Sequence, residues 1–295
     1  MEKIAKRAGC LVVLALTAAL LFLPDIGSAK VYSGRWEKNT KWSYDTATRT
    51  VTIECRGRMA DYDGDSVQPI GWGKWYTKAK KVVFKKGITY IGSFTFDDFR
   101  KVEEVVLPEG LVSIGNSAFW DASNLKTIRF PSTLKKIAEN AFDNSGLESV
   151  SLRNVEKVGS GAFSGTNLKK LTVPSTCKDI KSYAFNSCFE LRQVKLENGM
   201  KTIRTSTFSR TGLESVTIPA SVTSIGTRAF FAFSPEESKL KSVTINSTQI
   251  TKWGKRIFGK ARKDLVIRVP KSKKREYTKA LREGGLPDYV KIVGK

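Results

Sequence analysis

The side chains best suited to chemistry are a short run of aspartates. Asp61, Asp63 and Asp65 recur at every second position, as the first ligands of a calcium loop do. An EF-hand loop also needs a glycine at its sixth position and a glutamate at its twelfth, where this chain has Ser66 and Trp72. The spacing therefore favours a solvated turn over a cation site. Paired carboxylates for glycoside hydrolysis remain as the alternative use of these residues.

Two cysteines are the other reactive candidates. Cys177 stands where other copies of the repeat described below have leucine, methionine or valine, and Cys188 lies three residues before a repeated leucine. Free cysteine at such positions behaves as a small core hydrophobe. With Cys55 they make an odd number beyond residue 29, which argues against a disulfide framework. We predict buried free thiols, with a Cys177–Cys188 disulfide or a reactive thiol as the alternatives.

Histidine is absent from the whole sequence. Because histidine is the commonest general base and metal ligand near neutral pH, serine or cysteine triads and histidine-ligated zinc are excluded. The glycine of the phrase VSIGNSAF, Gly115, is not a phosphate loop, because such a loop needs consecutive glycines at a helix start. Three of the eight copies of this phrase carry a side chain there, so turn geometry explains the glycine better. We predict no catalytic residue, no cofactor and no metal.

Positive charge is the strongest compositional signal, with a formal net charge of +23. It is concentrated near the carboxyl-terminal end, where the only acidic residue between positions 255 and 275 is Asp264. Such a cluster is typical of a docking patch for an anion, or of a solvated end that keeps the protein soluble. The predicted partner-binding residues of this run are Lys255, Arg256, Lys260, Arg262, Lys263, Arg268, Lys271, Lys273, Lys274 and Arg275.

These residues must be positioned by a repeat, because VSIGNSAF returns as TSIGTRAF 111 residues later. An aliphatic or aromatic residue followed five positions later by phenylalanine recurs eight times from Ile91 to Phe258, with a period close to 22 or 23 residues. In step with it runs the pattern L-x-x-V-x-L, whose alternation predicts half-buried strands at successive pairs including Ile128 with Phe130 and Val150 with Leu152. Units this short are stable only when stacked, so the pattern predicts a leucine-rich repeat solenoid.

A solenoid usually binds through the outward side chains of its strands, since each repeat adds one to an extended face. In this chain the outward positions are rich in hydroxyl groups, with cations predicted to bind a partner at Arg129, Lys170, Lys195 and Arg268. One step of the repeat is lengthened by an insertion after Phe230, reading FAFSPEESK. Insertions of this kind often lie on a contact face, which makes Phe231 and Phe233 candidates for partner binding or for packing under the neighbouring loop.

The tandem LESVTIPASVTSIGTRAF, from Leu213 to Phe230, resembles the BspA-type leucine-rich repeat of secreted and surface proteins. The stretch SGRWEKNTKWSYDTATRTVTIECRGRMADY, with the tryptophans and tyrosine at 72, 75 and 76, resembles the β-rich cap that often precedes these repeats, and VIRVPKSKKREY resembles their end. The resemblance implies a surface or secreted adhesion or binding protein, and it transfers no catalytic residue.

The amino-terminal residues are expected to be removed on export. Lys3, Lys6 and Arg7 precede an apolar run from Cys10 to Leu23, and small residues follow up to Ala29. This order is typical of a secretory signal peptide. An uncleaved anchor is the alternative, although the run is shorter than the roughly 20 residues of a spanning helix.

The ends of the solenoid are predicted to be closed by caps. Alternation over residues 51–55 predicts a strand with Cys55 on its inner side, and Ser272 is predicted to cap a helix that has Tyr277 and Leu281 on one face. The fold class is thus a β-rich leucine-rich repeat solenoid of about eight repeats of 21–27 residues, with an N-terminal β cap and a short C-terminal helical cap. The predicted segments are a signal peptide (1–29), a β-rich cap (30–78), the solenoid (79–270) and a basic C-terminal cap (271–295).

The sequence predicts an exported, non-catalytic binding or adhesion protein whose partner is an acidic glycan, a teichoic-type polymer or an acidic extracellular protein. Sequence-specific nucleic-acid recognition is not expected, because few aromatics are interleaved with the basic run. A monomer without a membrane span after signal cleavage is expected. The alternatives are a scaffolding module whose charge serves solubility, and a carboxylate-dependent enzyme acting on polysaccharides.

Overall fold

The structure, a computed structural model, describes residues 29–62 and 71–295. The predicted signal peptide, apart from Ala29, lies outside the described residues, as do Asp63 and Asp65. Within the two described ranges, no helix is both long enough and apolar enough to span a bilayer.

The chain begins with an antiparallel three-stranded sheet: β1 (Val31–Trp36), β2 (Thr40–Asp45) and β3 (Thr50–Cys55). Trp42 and Tyr44 on β2 are buried, as are Val51, Ile53 and Cys55 on β3, so the predicted inner face of β3 is confirmed. Strand β3 then pairs in parallel with the first strand of the repeats. The cap therefore belongs to the same sheet and the same hydrophobic core as the repeats.

The repeats alternate longer strands with short ones. In chain order the strands are β4 (Gly57–Arg58), β5 (Lys81–Phe84), β6 (Ile88–Ile91), β7 (Glu104–Val106), β8 (Ser113–Ile114), β9 (Lys136–Ile137), β10 (Lys157–Val158), β11 (Lys170–Val173), β12 (Asp179–Ile180), β13 (Gln193–Leu196), β14 (Thr202–Ile203), β15 (Ser215–Ile218), β16 (Ser224–Ile225), β17 (Ser242–Ile245), β18 (Lys252–Trp253), β19 (Val266–Val269) and β20 (Lys291–Gly294). One α-helix, α1 (Lys274–Glu283), and 3₁₀ turns at Gly73–Trp75 and Lys271–Lys273 lie within the described residues.

These strands form two parallel rows along the solenoid. The long-strand row contains β3, β5 and β7, followed by β11, β13, β15, β17, β19 and β20. The short-strand row contains β4, β6, β8, β9, β10 and β12, followed by β14, β16 and β18. Stacking successive coils in this way confirms the predicted solenoid, and one continuous apolar core runs from Trp42 to Val290.

The long-strand row is interrupted in its middle. The strands predicted at Ile128 with Phe130 and at Val150 with Leu152 are wrong as strands, because the two coils share only the isolated bridge between Thr127 and Ser149. The interruption falls where the repeat shortens to 22 and then 21 residues. Ile128 and Leu152 are nevertheless buried, so the predicted apolar side of both coils is confirmed.

The phrase VSIGNSAF combines a short strand, a turn and a core phenylalanine. Its serine and isoleucine form β8, which the sequence prediction had not identified as a strand. The phenylalanines of the eight phrases stack along the solenoid axis with ring centroids 5.3–5.9 Å apart and planes within 17° of parallel. They are Phe96, Phe119, Phe142, Phe163, Phe185, Phe208, Phe230 and Phe258, and all are buried.

Gly115 is explained by close packing rather than by an unusual turn conformation. A β-carbon on it would lie 2.5 Å from the backbone nitrogen of Ser93 in the preceding coil. The left-handed backbone positions of the phrase lie elsewhere, two residues before and two residues after each of several core phenylalanines, as at Ser117 and Asp121 around Phe119. The prediction of turn geometry at this glycine is therefore corrected to close approach of the neighbouring coil.

The carboxyl-terminal segment closes the core with a helix and one further strand. Tyr277 and Leu281 of α1 are buried and Gly284 follows the helix, as predicted. Ser272 does not cap this helix, because it lies inside the 3₁₀ turn and the N-cap residue is Lys273, whose side chain makes no cap bond. The chain then returns as β20, which pairs in parallel with β19 and which the sequence had not predicted.

Candidate functional site

The outward face of the long-strand row has the register that the repeat predicted. Thr172 lies opposite Lys195. Further along the row, Thr217 lies opposite Thr244, which in turn lies opposite Arg268. Two strands stand between β13 and β19, so Lys195 and Arg268 are about 14 Å apart at the usual strand spacing. The outward face of the long-strand row thus carries isolated cations on a hydroxyl-rich surface.

The predicted cations on this face differ in their partners. The Lys195 ammonium lies 3.2 Å from a Glu197 carboxylate oxygen, and a guanidinium nitrogen of Arg268 donates to the Ser242 hydroxyl at 2.8 Å. Arg129 and Lys170 are exposed and make no ion pair with any described residue. Lys170 borders a shallow depression of about 390 Å³ beside the interruption of the row.

The structure distributes the basic residues of the carboxyl-terminal run around the rim of the last coil. Lys255 and Arg256 follow β18, a second group occupies the loop before β19, and a third lies where α1 begins. Within the described part of the chain only two cations of positions 255–275 form ion pairs, Arg262 with Asp264 and Lys273 with Glu276, both at 2.7 Å. The remaining cations are exposed and form no ion pair with a described residue: Lys255, Arg256, Lys260, Lys263, Arg268, Lys271, Lys274 and Arg275.

The two aromatic residues of the insertion after Phe230 differ in their exposure to solvent. Phe231 is only 9% exposed and lies against Gly259 of the next coil, so packing accounts for it. Phe233 is 54% exposed, and its backbone nitrogen donates to the Glu237 carboxylate. The insertion therefore presents one ring to solvent.

Phe233 belongs to an aromatic and arginine cluster that sequence reasoning missed. The Arg210 guanidinium lies 5.2 Å from the Phe233 ring and 5.1 Å from the ring of Phe189, which is 58% exposed. An exposed aromatic pair around an arginine is typical of interaction surfaces. Its sequence signal was Phe189 itself, which occupies a position filled by arginine, serine, glycine or asparagine in other copies.

The cysteines are free and buried, as predicted. The Cys188 thiol donates to the Phe163 carbonyl oxygen at 3.1 Å. Burial raises the pKa of both Cys177 and Cys188 to about 12. Since the thiolate is the reactive form, neither side chain is a nucleophile near neutral pH.

Asp61, the described member of the aspartate run, is engaged in holding the cap to the first coil. Its carboxylate accepts hydrogen bonds from the Tyr90 hydroxyl at 2.5 Å and from the Ser93 backbone nitrogen at 2.6 Å. Partial burial acts to raise the pKa of Asp61, but these hydrogen bonds outweigh it and hold the pKa below its ordinary value. The residue therefore has a structural role in joining two elements.

A cleft of about 750 Å³ lies between the cap and the first coils, and we call it the cap cleft. Sequence reasoning missed it because its walls come from five separated segments of the chain. Its lining residues are Tyr32, Tyr44, Thr46, Arg49, Trp75, Thr77, Lys78, Lys80, Lys101, Glu103 and Asn124.

Comparison with known proteins gives a consistent family and fold. The family model described as "BspA type Leucine rich repeat region" matches in six copies over residues 74–190 and 156–281. A leucine-rich repeat protein from Eubacterium ventriosum is similar in structure, with a TM-score of 0.61 and 18% identity over 90% of this chain and 68% of its own. None of the curated protein sequences matches the chain.

Two further solved structures show weaker similarity. A leucine-rich repeat protein from Bacteroides ovatus has a TM-score of 0.45 and 20% identity, over 88% of this chain and 78% of its own. A leucine-rich cell surface protein from Faecalibacterium prausnitzii has a TM-score of 0.42 and 19% identity, over 81% of this chain and 76% of its own.

Proposed function

The chain belongs to the family of BspA-type leucine-rich repeat regions, and on that premise we propose that it is an exported, non-catalytic binding protein for an anionic polymer. The polymer is an acidic glycan, a teichoic-type chain or an acidic stretch of an extracellular protein. Export is supported by the basic and apolar order of residues 1–29.

The observation that carries the proposal is the set of exposed cations around the last coil that form no ion pair with a described residue. A pair of opposite charges at the surface largely cancels at a distance, whereas unpaired cations add to one field. Because the rim cations come from successive segments of one coil, they present charge over a width that suits a chain-like ligand. Long polymers can contact several of them at once, which multiplies weak contacts into useful affinity.

The test is polyanion binding by the purified protein at two salt concentrations. Heparin and polyglutamate are suitable probes, and binding is expected to weaken steeply between low and physiological ionic strength. The rim variant carries Lys271→Glu, Lys274→Glu and Arg275→Glu, and it is expected to bind more weakly with a shallower salt dependence. Acidic side chains at the start of α1 are compatible with folding, because they favour a helix amino terminus.

The matched control carries Lys136→Glu, Lys157→Glu and Lys178→Glu, which are exposed lysines on or next to the short-strand row without ion pairs to described residues. It makes the same change in net charge away from the last coil. The absence of polyanion binding at low salt would overturn the proposal. Equal losses in the rim variant and the control would show that total charge, and not the rim, governs binding.

A further inference from the structure

The cap cleft lies between the amino-terminal sheet and the first repeats. Thr46 and Arg49 come from the turn between β2 and β3, while Thr77 and Lys78 follow the 3₁₀ turn. The next two coils contribute Lys101 and Glu103, and then Asn124. A volume of about 750 Å³ falls within the range of sites that enclose a small ligand.

Aromatic side chains form a fixed wall of the cleft. The rings of Tyr44 and Trp75 stack with centroids 4.1 Å apart and planes 16° from parallel, and Tyr32 packs against Trp75 at 4.9 Å. Trp75 and Tyr44 are buried, whereas Tyr32 is 38% exposed. The wall is therefore preorganised before any ligand enters.

The charge of the cleft is strongly positive. Its lining has four basic side chains and one carboxylate, and that carboxylate, Glu103, already accepts from the Lys80 ammonium at 2.8 Å. Arg49, Lys78 and Lys101 make no ion pair with any residue in the described ranges. Cations of one sign that are gathered in a cleft add their fields, so the cleft attracts a small anion.

The neutral lining groups narrow the class of ligand. Tyr32, Thr46, Thr77 and Asn124 offer hydroxyl and amide groups beside the three unpaired cations. The oxygens of an inorganic anion can accept hydrogen bonds from these neutral groups as well as from the cations, but only a sugar also presents an apolar ring face to Tyr32. We propose that the cap cleft binds a segment of acidic oligosaccharide, whose carboxylates contact Arg49, Lys78 and Lys101.

This proposal rests on the proposed function and names a ligand class and a second site for it. The cleft opens at the amino-terminal end of the array and the basic rim at the other. A polymer can thus be held at the rim through charge alone, while the cleft recognises its sugar units. The two sites can be inactivated separately.

Calorimetric titration of the purified protein with oligogalacturonate, maltotetraose and inorganic tripolyphosphate tests the proposal. Oligogalacturonate is expected to bind, and Lys101→Glu is expected to weaken it by about tenfold. Lys136→Glu is the matched control, since it reverses an exposed lysine far from the cleft and should bind as the unmodified protein does. Because oligogalacturonate is a polyanion that the rim can also hold, both substitutions are made in the rim variant, which should retain the binding that the cleft provides.

The outcomes separate the two proposals. Tripolyphosphate binding as tight as oligogalacturonate would overturn the assignment to a saccharide, and equal binding by the Lys101→Glu variant would overturn the assignment to the cleft. In both cases heparin binding that depends on the rim would leave the proposed function intact. Loss of heparin binding by the unmodified protein would instead remove the proposed function itself.

Discussion

At the scale of the residue, the fit between successive coils decides which side chains the repeat accepts. Gly159 follows β10, and a β-carbon on it would lie 2.5 Å from the backbone nitrogen of Glu139 and would also overlap the backbone of Ala138. Backbone atoms cannot rotate away as a flexible side chain does. The absence of a side chain at Gly159 is thus a packing requirement.

Gly159→Ala is therefore expected to destabilise the protein by about 2 kcal/mol, because the methyl group must push two coils apart. Urea unfolding followed by circular dichroism measures the change. Lys157→Ala is the control, since Lys157 is exposed on β10 and forms no ion pair with a described residue. A Gly159→Ala variant as stable as the control would contradict close approach as the reason for this glycine.

The three cysteines provide a residue-scale prediction about reactivity. With a pKa of about 12, Cys177 and Cys188 have a thiolate fraction near pH 8 about a thousandfold below that of a free thiol with a pKa near 9. Iodoacetamide is expected to leave both unmodified in the folded protein and to modify both in denaturant. Mass spectrometry of the two samples checks this, and rapid labelling of the folded protein would show that the thiols are accessible.

The same raised pKa values set the sign of an alkaline effect on stability. In the unfolded chain these thiols lose their protons near pH 9, whereas in the folded protein they keep them to about pH 12. The unfolded state then binds fewer protons, so the free energy of unfolding falls as pH rises through this range. Replacing Cys177 with valine, which fills the same position in another copy, is expected to reduce this fall in urea titrations at pH 8 and pH 10.

At the scale of the element, the stack of buried phenylalanines packs each coil of the solenoid against the next. Phe163 is fully buried between Phe142 at 5.5 Å and Phe185 at 5.6 Å. Phe163→Ala is expected to cost about 3–5 kcal/mol, because it opens a cavity inside the stack. Phe189→Ala, at a ring that is 58% exposed, should change the stability by less than about 0.5 kcal/mol.

Urea unfolding of the two phenylalanine variants tests this difference. A small loss for Phe163→Ala would mean that neighbouring coils collapse into the cavity and that each coil contributes little to its neighbours. A large loss for Phe189→Ala would place that ring in the folded core rather than on a surface available to partners.

The elements also show what the sequence could predict. Strands such as β11 and β15 were predictable because four alternating residues per strand give a clear period, repeated at a fixed interval. The two-residue strands of the short-strand row were not, since two residues define no period. The break at Ile128 and Val150 was missed because burial alternates there even though the two coils share only one isolated bridge instead of a continuous hydrogen-bond ladder.

The candidate sites were less predictable than the fold. The residues on the outward face of the long-strand row were predictable from the repeat, and the register confirms that Thr172 and Lys195 are neighbours. The basic run was continuous in sequence, but the path of the coil spreads it around a rim. The cap cleft depends on segments as far apart as Tyr32 and Asn124, and no local pattern indicates that they meet.

At the scale of the whole molecule, charge is organised differently along the array and at its end. Adjacent coils are joined by ion pairs that repeat at one position, Lys80 with Glu103 at 2.8 Å and Glu148 with Lys169 at 2.6 Å. The rim of the last coil has no such compensation for most of its cations. The chain has a net charge of +23, so cations outnumber the carboxylates that could pair with them. The unpaired cations repel one another in the folded state.

This organisation predicts opposite effects of salt on stability and on binding. Salt screens both the repulsion and the ion pairs between coils, but those pairs are solvent-exposed and contribute little. Raising sodium chloride from low to physiological concentration should thus increase the melting temperature by about 2–4 °C, while polyanion binding weakens.

Calorimetric scans of the unmodified protein and the rim variant measure the change in melting temperature. The rim variant has less repulsion to screen, so its melting temperature should respond less to salt. A melting temperature that falls with salt in the unmodified protein would show that the ion pairs between coils, rather than repulsion among unpaired cations, dominate the electrostatics of the fold.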